Sequence, residues 1–182
     1  MPVPPRALFI AFCLAASPAV AEEAMLEVHV QDADVVDWIV IRHAGGCDSV
    51  SGRLRIDFGP SDGRVVIDTE FGGGGMLYPR DVEVMNGPVA PLPVEDGARR
   101  LDIDVFGLET GEQAVVTLDI DNERNGPEAG QIVATGADIA GAVAAFTAQG
   151  AAEPVQAPFD ADGSAYLSVP CVPPGLVMGA AG

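Results

Sequence analysis

Residues 99–122, RRLDIDVFGLETGEQAVVTLDIDN, alternate apolar and polar side chains on both sides of a turn. Leu101, Ile103 and Val105 alternate with Asp102 and Asp104; Val116, Leu118 and Ile120 alternate with Thr117 and Asp119. A period of two puts one set on each face of a strand. The stretch predicts a hairpin of strands 99–106 and 114–121, turning at Thr110-Gly111. Pairing about that turn sets Leu101 against Ile120 and Asp102 against Asp119. Opposed like charges destabilise a strand pair. The hairpin therefore predicts either a register slipped by two, with Arg100 against Asp119, or a cation between the acids. A slip by one would expose the apolar set and is excluded.

The same period recurs outward from this stretch. Leu26, Val28 and Val30 alternate with Glu27 and His29, and Leu54, Ile56 and Phe58 with Arg53, Arg55 and Asp57. Trp38 to Ile41 is apolar on both faces, which predicts a strand buried on both sides with Trp38 in the core. The turn signals AGG at 44–46, GPSDG at 59–63, GGGG at 72–75, NGP at 86–88 and DADG at 160–163 separate the runs. With 22 Gly and 15 Pro, this pattern predicts an all-β antiparallel sandwich, Ig-like or jelly-roll, of about 8–10 strands. The Ala-rich residues 137–148 compete as a helix, but Gly141, Val143 and Thr147 weaken it. They read as a strand pair with an irregular joint.

The first 21 residues carry Arg6, a short apolar run from Ala7 to Ala16, and Ala19-Val20-Ala21 before Glu22. That is the pattern of a secretory signal peptide, too short to span a bilayer. No later segment is apolar enough to span either. Removing residues 1–21 takes away one Arg and no acid, leaving the remainder one unit more negative than the −18 of the whole chain. The chain has no Lys. Such a charge repels nucleic acid and anionic lipid. It leaves cations, basic proteins and neutral glycans as partners, or simple solubility as its purpose. Of three Cys, Cys13 leaves with the signal. Cys47 and Cys171 read as one disulfide, closing a loop long enough to contribute about 4–5 kcal/mol in the chain-entropy model. With only His29 and His43 beside them they make a poor zinc set.

The end of the opening stretch, VTLDIDNERNG at 116–126, holds Asp119 and Asp121 on one strand face, then Asn122 and Glu123. Ca²⁺ takes six to eight oxygens from such groups, and Asp68 could join from the end of its own strand. The spacing is not that of an EF-hand, because Arg124 stands where Gly is needed. A polar strand face running into a turn fits the same residues. FDADG at 159–163 reads as a turn. Enzyme signatures are missing. DFG at 57–59 has no kinase companions, GGGG is not followed by Lys-Ser or Lys-Thr, and there is no GxSxG. His29 and His43 read as structural, and Tyr78 as the one exposed aromatic.

Several segments resemble small exported bacterial β-sandwich proteins labelled "aggregation factor core". They are the strand before Cys47, Asp68 ahead of a glycine loop, Gly107 to Glu112, Asp119 to Asn122, and Gly136 to Ala142. The resemblance runs from about Asp37 to Leu167. It implies an adhesive, calcium-dependent surface protein, with Asp68, Asp119 and Asp121 in one site.

The sequence thus reads as one sandwich domain over residues 22–172 and a tail at 173–182. It predicts a non-enzymatic binding or adhesion-type module, periplasmic or extracellular, with a protein or glycan partner and calcium as the only cofactor. One alternative is an exported glycan hydrolase using a carboxylate pair. Another is a structural envelope or matrix component with no metal.

Overall fold

The computed structural model describes residues 22–31, 36–70, 79–122 and 134–171; the signal-like segment, the glycine run with Tyr78, Glu123 and the 173–182 tail lie outside these. The strands are β1 (Glu23–Gln31), β2 (Asp37–Gly45), β3 (Ser49–Asp57), β4 (Val65–Ile67), β5 (Glu83–Asn86), β6 (Val89–Pro91), β7 (Arg100–Glu109), β8 (Gln113–Leu118) and β9 (Ile120–Asn122). A one-turn helix, α1 (Gly136–Ile139), precedes β10 (Val143–Ala148), β11 (Val155–Pro158) and β12 (Ser164–Pro170). These form two five-stranded sheets, β12-β1-β2-β8-β5 and β11-β10-β3-β7-β6, and a separate β4–β9 pair. Among the described residues every pairing of these strands is antiparallel. The described strands outnumber the eight to ten expected because three of them, β4, β6 and β9, are only three residues long.

The alternation seen in the sequence makes the core. Leu26, Val28, Ile39, Ile41, Val116, Leu118, Ala165 and Leu167 line the inner face of the first sheet. Leu54, Ile56, Leu101, Ile103, Val105, Ala144 and Phe146 line that of the second, and all belong to one buried cluster. This is an all-β sandwich. Cys47, in the turn after β2, is disulfide-bonded to Cys171, just past β12. Among the described residues no helix is long and apolar enough to cross a membrane.

The predicted β7–β8 hairpin does not form. The two strands follow one another through a tight turn at Gly111 (φ 85°), but they belong to opposite sheets. β7 instead pairs with β3, in a register that sets Asp102 opposite Arg55, Asp104 opposite Arg53 and Arg100 opposite Asp57. Arg55 Nε lies 2.8 Å from Asp102 and Arg53 Nε 2.7 Å from Asp104, each backed by a second guanidinium contact at 3.2 Å. The like-charge clash of the hairpin becomes a ladder of opposite charges. Neither the slipped register nor a cation is needed at Asp102.

Two further expectations change. Trp38 is 40% exposed and Val40 is partly exposed, so β2 is buried on one face only. Residues 136–139 are helical, held by Asp138, which accepts from the Thr135 backbone N–H (3.0 Å) and hydroxyl (2.7 Å). Gly141, at φ 85°, ends the turn before β10. A reciprocal cap of this kind overrides weak helix propensity over one turn. His43 is fully buried, its ring nitrogens 3.1 Å from the Leu108 and Gly45 carbonyls. It pins the end of β2 to β7.

The β3–β7 register is checked by charge reversal. Asp102→Arg is expected to lower stability by about 0.5–1 kcal/mol in urea melts, and adding Arg55→Asp to recover most of it. The hairpin pairing would make Asp102→Arg stabilising.

Candidate metal centre

β4 and β9 pair so that Val65 faces Asn122, Val66 faces Asp121 and Ile67 faces Ile120. The next step sets Asp68 opposite Asp119, whose carbonyl accepts the Asp68 N–H at 3.0 Å. Residues two apart on one strand, and those directly opposite, share a face. The pairing therefore puts Asp68, Asp119 and Asp121 on one side of the ladder. A carboxylate oxygen from each lies within 4.8 Å of the others. Asp68 is 1% exposed and Asp121 6%, while Asp119 is partly exposed.

The chain reaches this point by leaving one sheet for another. β8 ends at Leu118 in the first sheet, and β9 begins two residues later against β4. Asp37, the first residue of β2, sits opposite Leu118 and accepts the Ile120 N–H at 2.9 Å. It holds the switch between sheets. On the other side of β4, Ile67 exchanges backbone hydrogen bonds with Gly97 and Ala98. This brings Asp96 to the cluster, where it accepts from the N–H groups of Thr69 (2.9 Å) and Glu70 (3.2 Å) and adjoins the Asp68 carboxyl.

Asp68 Oδ1 accepts a long bond from the Glu70 N–H at 3.3 Å. Its Oδ2 is buried with no hydrogen-bond partner, alone in this among side-chain atoms of the described residues. A buried carboxylate oxygen left in this way is costly unless a proton or a cation meets it. Burial, then the adjoining Asp96 carboxyl, push the Asp68 carboxyl up to about 6, with smaller pushes from the Asp121 and Asp96 charges and an opposing pull from the Glu70 N–H. Burial, then the charges of Asp121 and Asp68 push Asp119 up to about 7, partly offset by Arg80. The arrangement concentrates negative charge where water is scarce.

Of the residues singled out in the sequence, Asp68, Asp119 and Asp121 come together. Asn122 points the other way along β9, its amide nitrogen donating to Asp138 Oδ1 at 2.6 Å and tying the strand to α1. Glu123 lies outside the described residues. Asp160 accepts from the Asp162 and Ser164 N–H groups, both at 2.9 Å, and FDADG is a turn as expected. Sequence reasoning missed Asp96 and Asp37. Asp96-Gly97 reads only as a turn, and nothing local says that the turn abuts Asp68.

The chain matches no protein-family model, no curated protein and no solved structure. The chemistry is therefore read from the site itself. An all-oxygen cluster of this kind could hold a metal ion and suits a hard divalent cation.

A carboxyl whose pKa is raised on folding supports the fold while protonated and weakens it on ionising. Without metal, the contribution of Asp68 and Asp119 is full below about pH 4. It is lost as pH rises through about 6 and about 7. Asp68→Asn, neutral throughout, is expected to be more stable than the parent in EDTA at pH 8, by about 2–3 kcal/mol at 1.36 kcal/mol per pK unit. At pH 4 the two should melt together. A variant less stable than the parent at pH 8 would show that the carboxylate is satisfied without metal.

Proposed function

We propose that the protein is an exported, non-enzymatic binding module of adhesion type, with a structural Ca²⁺ site at Asp68, Asp119 and Asp121. The observation that carries the reading is the buried, unpartnered Asp68 oxygen inside a three-carboxylate cluster. Ca²⁺ fits better than the alternatives. Zn²⁺ prefers nitrogen and sulfur, and Mg²⁺ keeps most of its waters, for which a cluster this buried leaves little room. By neutralising Asp119 and Asp121 the ion would fix the junction where β8 passes into β9.

Export is supported by the signal-like first 21 residues and by the Cys47–Cys171 disulfide, since such bonds form and persist in oxidising compartments. The resemblance to "aggregation factor core" proteins, read from residues 37–167, points the same way. The glycan-hydrolase alternative has less support. It needs two carboxyl groups about 5–9.5 Å apart astride a cleft. The acids gathered here lie within 4.8 Å, and two of the three are buried.

A thermal melt of the protein lacking residues 1–21, disulfide intact, tests the cation in EDTA, millimolar Ca²⁺ and millimolar Mg²⁺. At 100-fold saturation one site adds about 2.7 kcal/mol, or roughly 5–11 °C for a domain of this size. Ca²⁺ is expected to give that shift and Mg²⁺ far less, and Asp121→Ala to abolish it. Identical melts in EDTA and Ca²⁺ would remove the ion from the proposal.

A further inference from the structure

The two outer faces of the sandwich differ in kind. On the second sheet the exposed face is the ordinary wet surface of an antiparallel sheet, with Arg53, Arg55 and Arg100 paired to Asp104, Asp102 and Asp57. On the first sheet the corresponding positions form a groove of about 680 Å³, within the usual range for small-molecule sites. Strand register arranges it in three rows. Trp38 lies between Gln31 and Thr117, Val40 between His29 and Val115, and Arg42 between Glu27 and Gln113. The rows are two residues apart, so the floor is about 14 Å long. Met85 and Asn86 of β5 close one side. Trp38 is 40% exposed and Met85 67%.

Two properties of this groove select its occupant. It joins an exposed indole to a ring of amides, Gln31, Gln113 and Asn86, each offering both donors and acceptors. That is the complement of a molecule with apolar C–H faces and hydroxyl edges. Its charge is also balanced. The Glu27 carboxylate lies 3.7 Å from the Arg42 guanidinium, and among the described residues no other acid lines the groove, Glu83 standing outside it on β5, opposite Thr117. On a chain of net charge −18, this is a near-neutral strip within a field that repels polyanions. A single acid already engaged by an arginine offers no pair of carboxyl groups for hydrolysis.

We propose that the groove over β1, β2, β8 and β5 binds a neutral oligosaccharide, with Trp38 stacked on a sugar ring and Gln31, Gln113 and Asn86 bonding its hydroxyls. The proposal deepens the binding-module reading and rests on it, but not on the cation, since none of the clustered aspartates lines the groove. Stacking uses the indole face, whose partial negative charge meets the sugar's C–H groups.

Trp38 is the one tryptophan of the chain, so intrinsic fluorescence reports the groove directly. The protein is titrated with neutral gluco-, xylo-, manno- and galacto-oligosaccharides of about six rings, sized to the ~14 Å floor with overhang, and with oligogalacturonate as the anionic control. Each titration is run in EDTA and in Ca²⁺, with calorimetry alongside. A saturable change with at least one neutral series and none with oligogalacturonate is expected. Trp38→Ala, followed by calorimetry, should weaken binding at least tenfold, and Gln113→Ala several-fold. Both positions are on the outer face, and the melting temperature checks that the variants fold. Failure of every neutral series at millimolar concentration, binding unchanged in Trp38→Ala, or tighter binding of the anionic control would each overturn the proposal. So would a fluorescence change that follows protein concentration alone, which would assign the face to a second copy. Sugar binding without a calcium-dependent melt would defeat only the cation reading; a calcium-dependent melt without sugar binding would defeat only this one.

Discussion

Two apolar faces meet between the sheets, and the placement of each polar feature follows from what that shared core excludes. The inner positions of the long strands are aliphatic or aromatic almost without exception. Charge is therefore confined to the outer faces, the turns and the seam where β8 gives way to β9. At the seam the core's demands conflict with the chain's path. Leu118 and Ile120 must both be buried, yet they belong to different sheets. The residue between them, Asp119, is carried into a partly dry site together with Asp121 and Asp68. The Asp37 carboxylate makes the crossing tolerable by receiving the Ile120 amide, an N–H that has left the first sheet.

Much of this architecture is legible residue by residue. Period-two patterning in LEVHV, RLRIDF and LDIDV assigns the inner faces correctly, because a strand cannot slip by one residue without exposing its core set. The disulfide follows from there being only two cysteines beyond the signal-like segment. Asp119 and Asp121 share a face for the same geometric reason that Leu118 and Ile120 do. What failed is what depends on partners distant in sequence. LDIDV reads toward its neighbour in the chain, yet it pairs with the strand whose charges complement it. The pattern Arg53-x-Arg55-x-Asp57, read against Arg100-x-Asp102-x-Asp104, already held the true register, with every pair opposite in sign. Trp38 reads as core because WIVI carries no polar alternation, and hydrophobicity alone does not separate a buried face from an exposed one. Asp96 was invisible because a turn's distant contacts leave no trace in its own residues.

The two candidate sites lie close together in the fold without sharing residues. Asp37 and Trp38 are consecutive at the start of β2. The first faces inward and anchors the Asp119 segment; the second faces outward and heads the groove. One strand end thus contributes to both surfaces of its sheet. The aspartate cluster and the groove are joined through the backbones of β2 and β8, which are paired directly at this point.

The disulfide also decides how the domain carries tension. Glu22 and Cys171 lie side by side, the Cys171 N–H bonded to the Glu22 carbonyl at 2.8 Å, and β1 runs between β12 and β2. A pull at these two points opens β1 from β12 one rung at a time, as a zip rather than a sliding shear. The opening then stops at Cys47, because everything from there to Cys171 is closed by a covalent bond. Only residues 22–47 can be paid out, roughly 85 Å of chain at full stretch. The second sheet lies wholly inside the closed loop and bears none of the load.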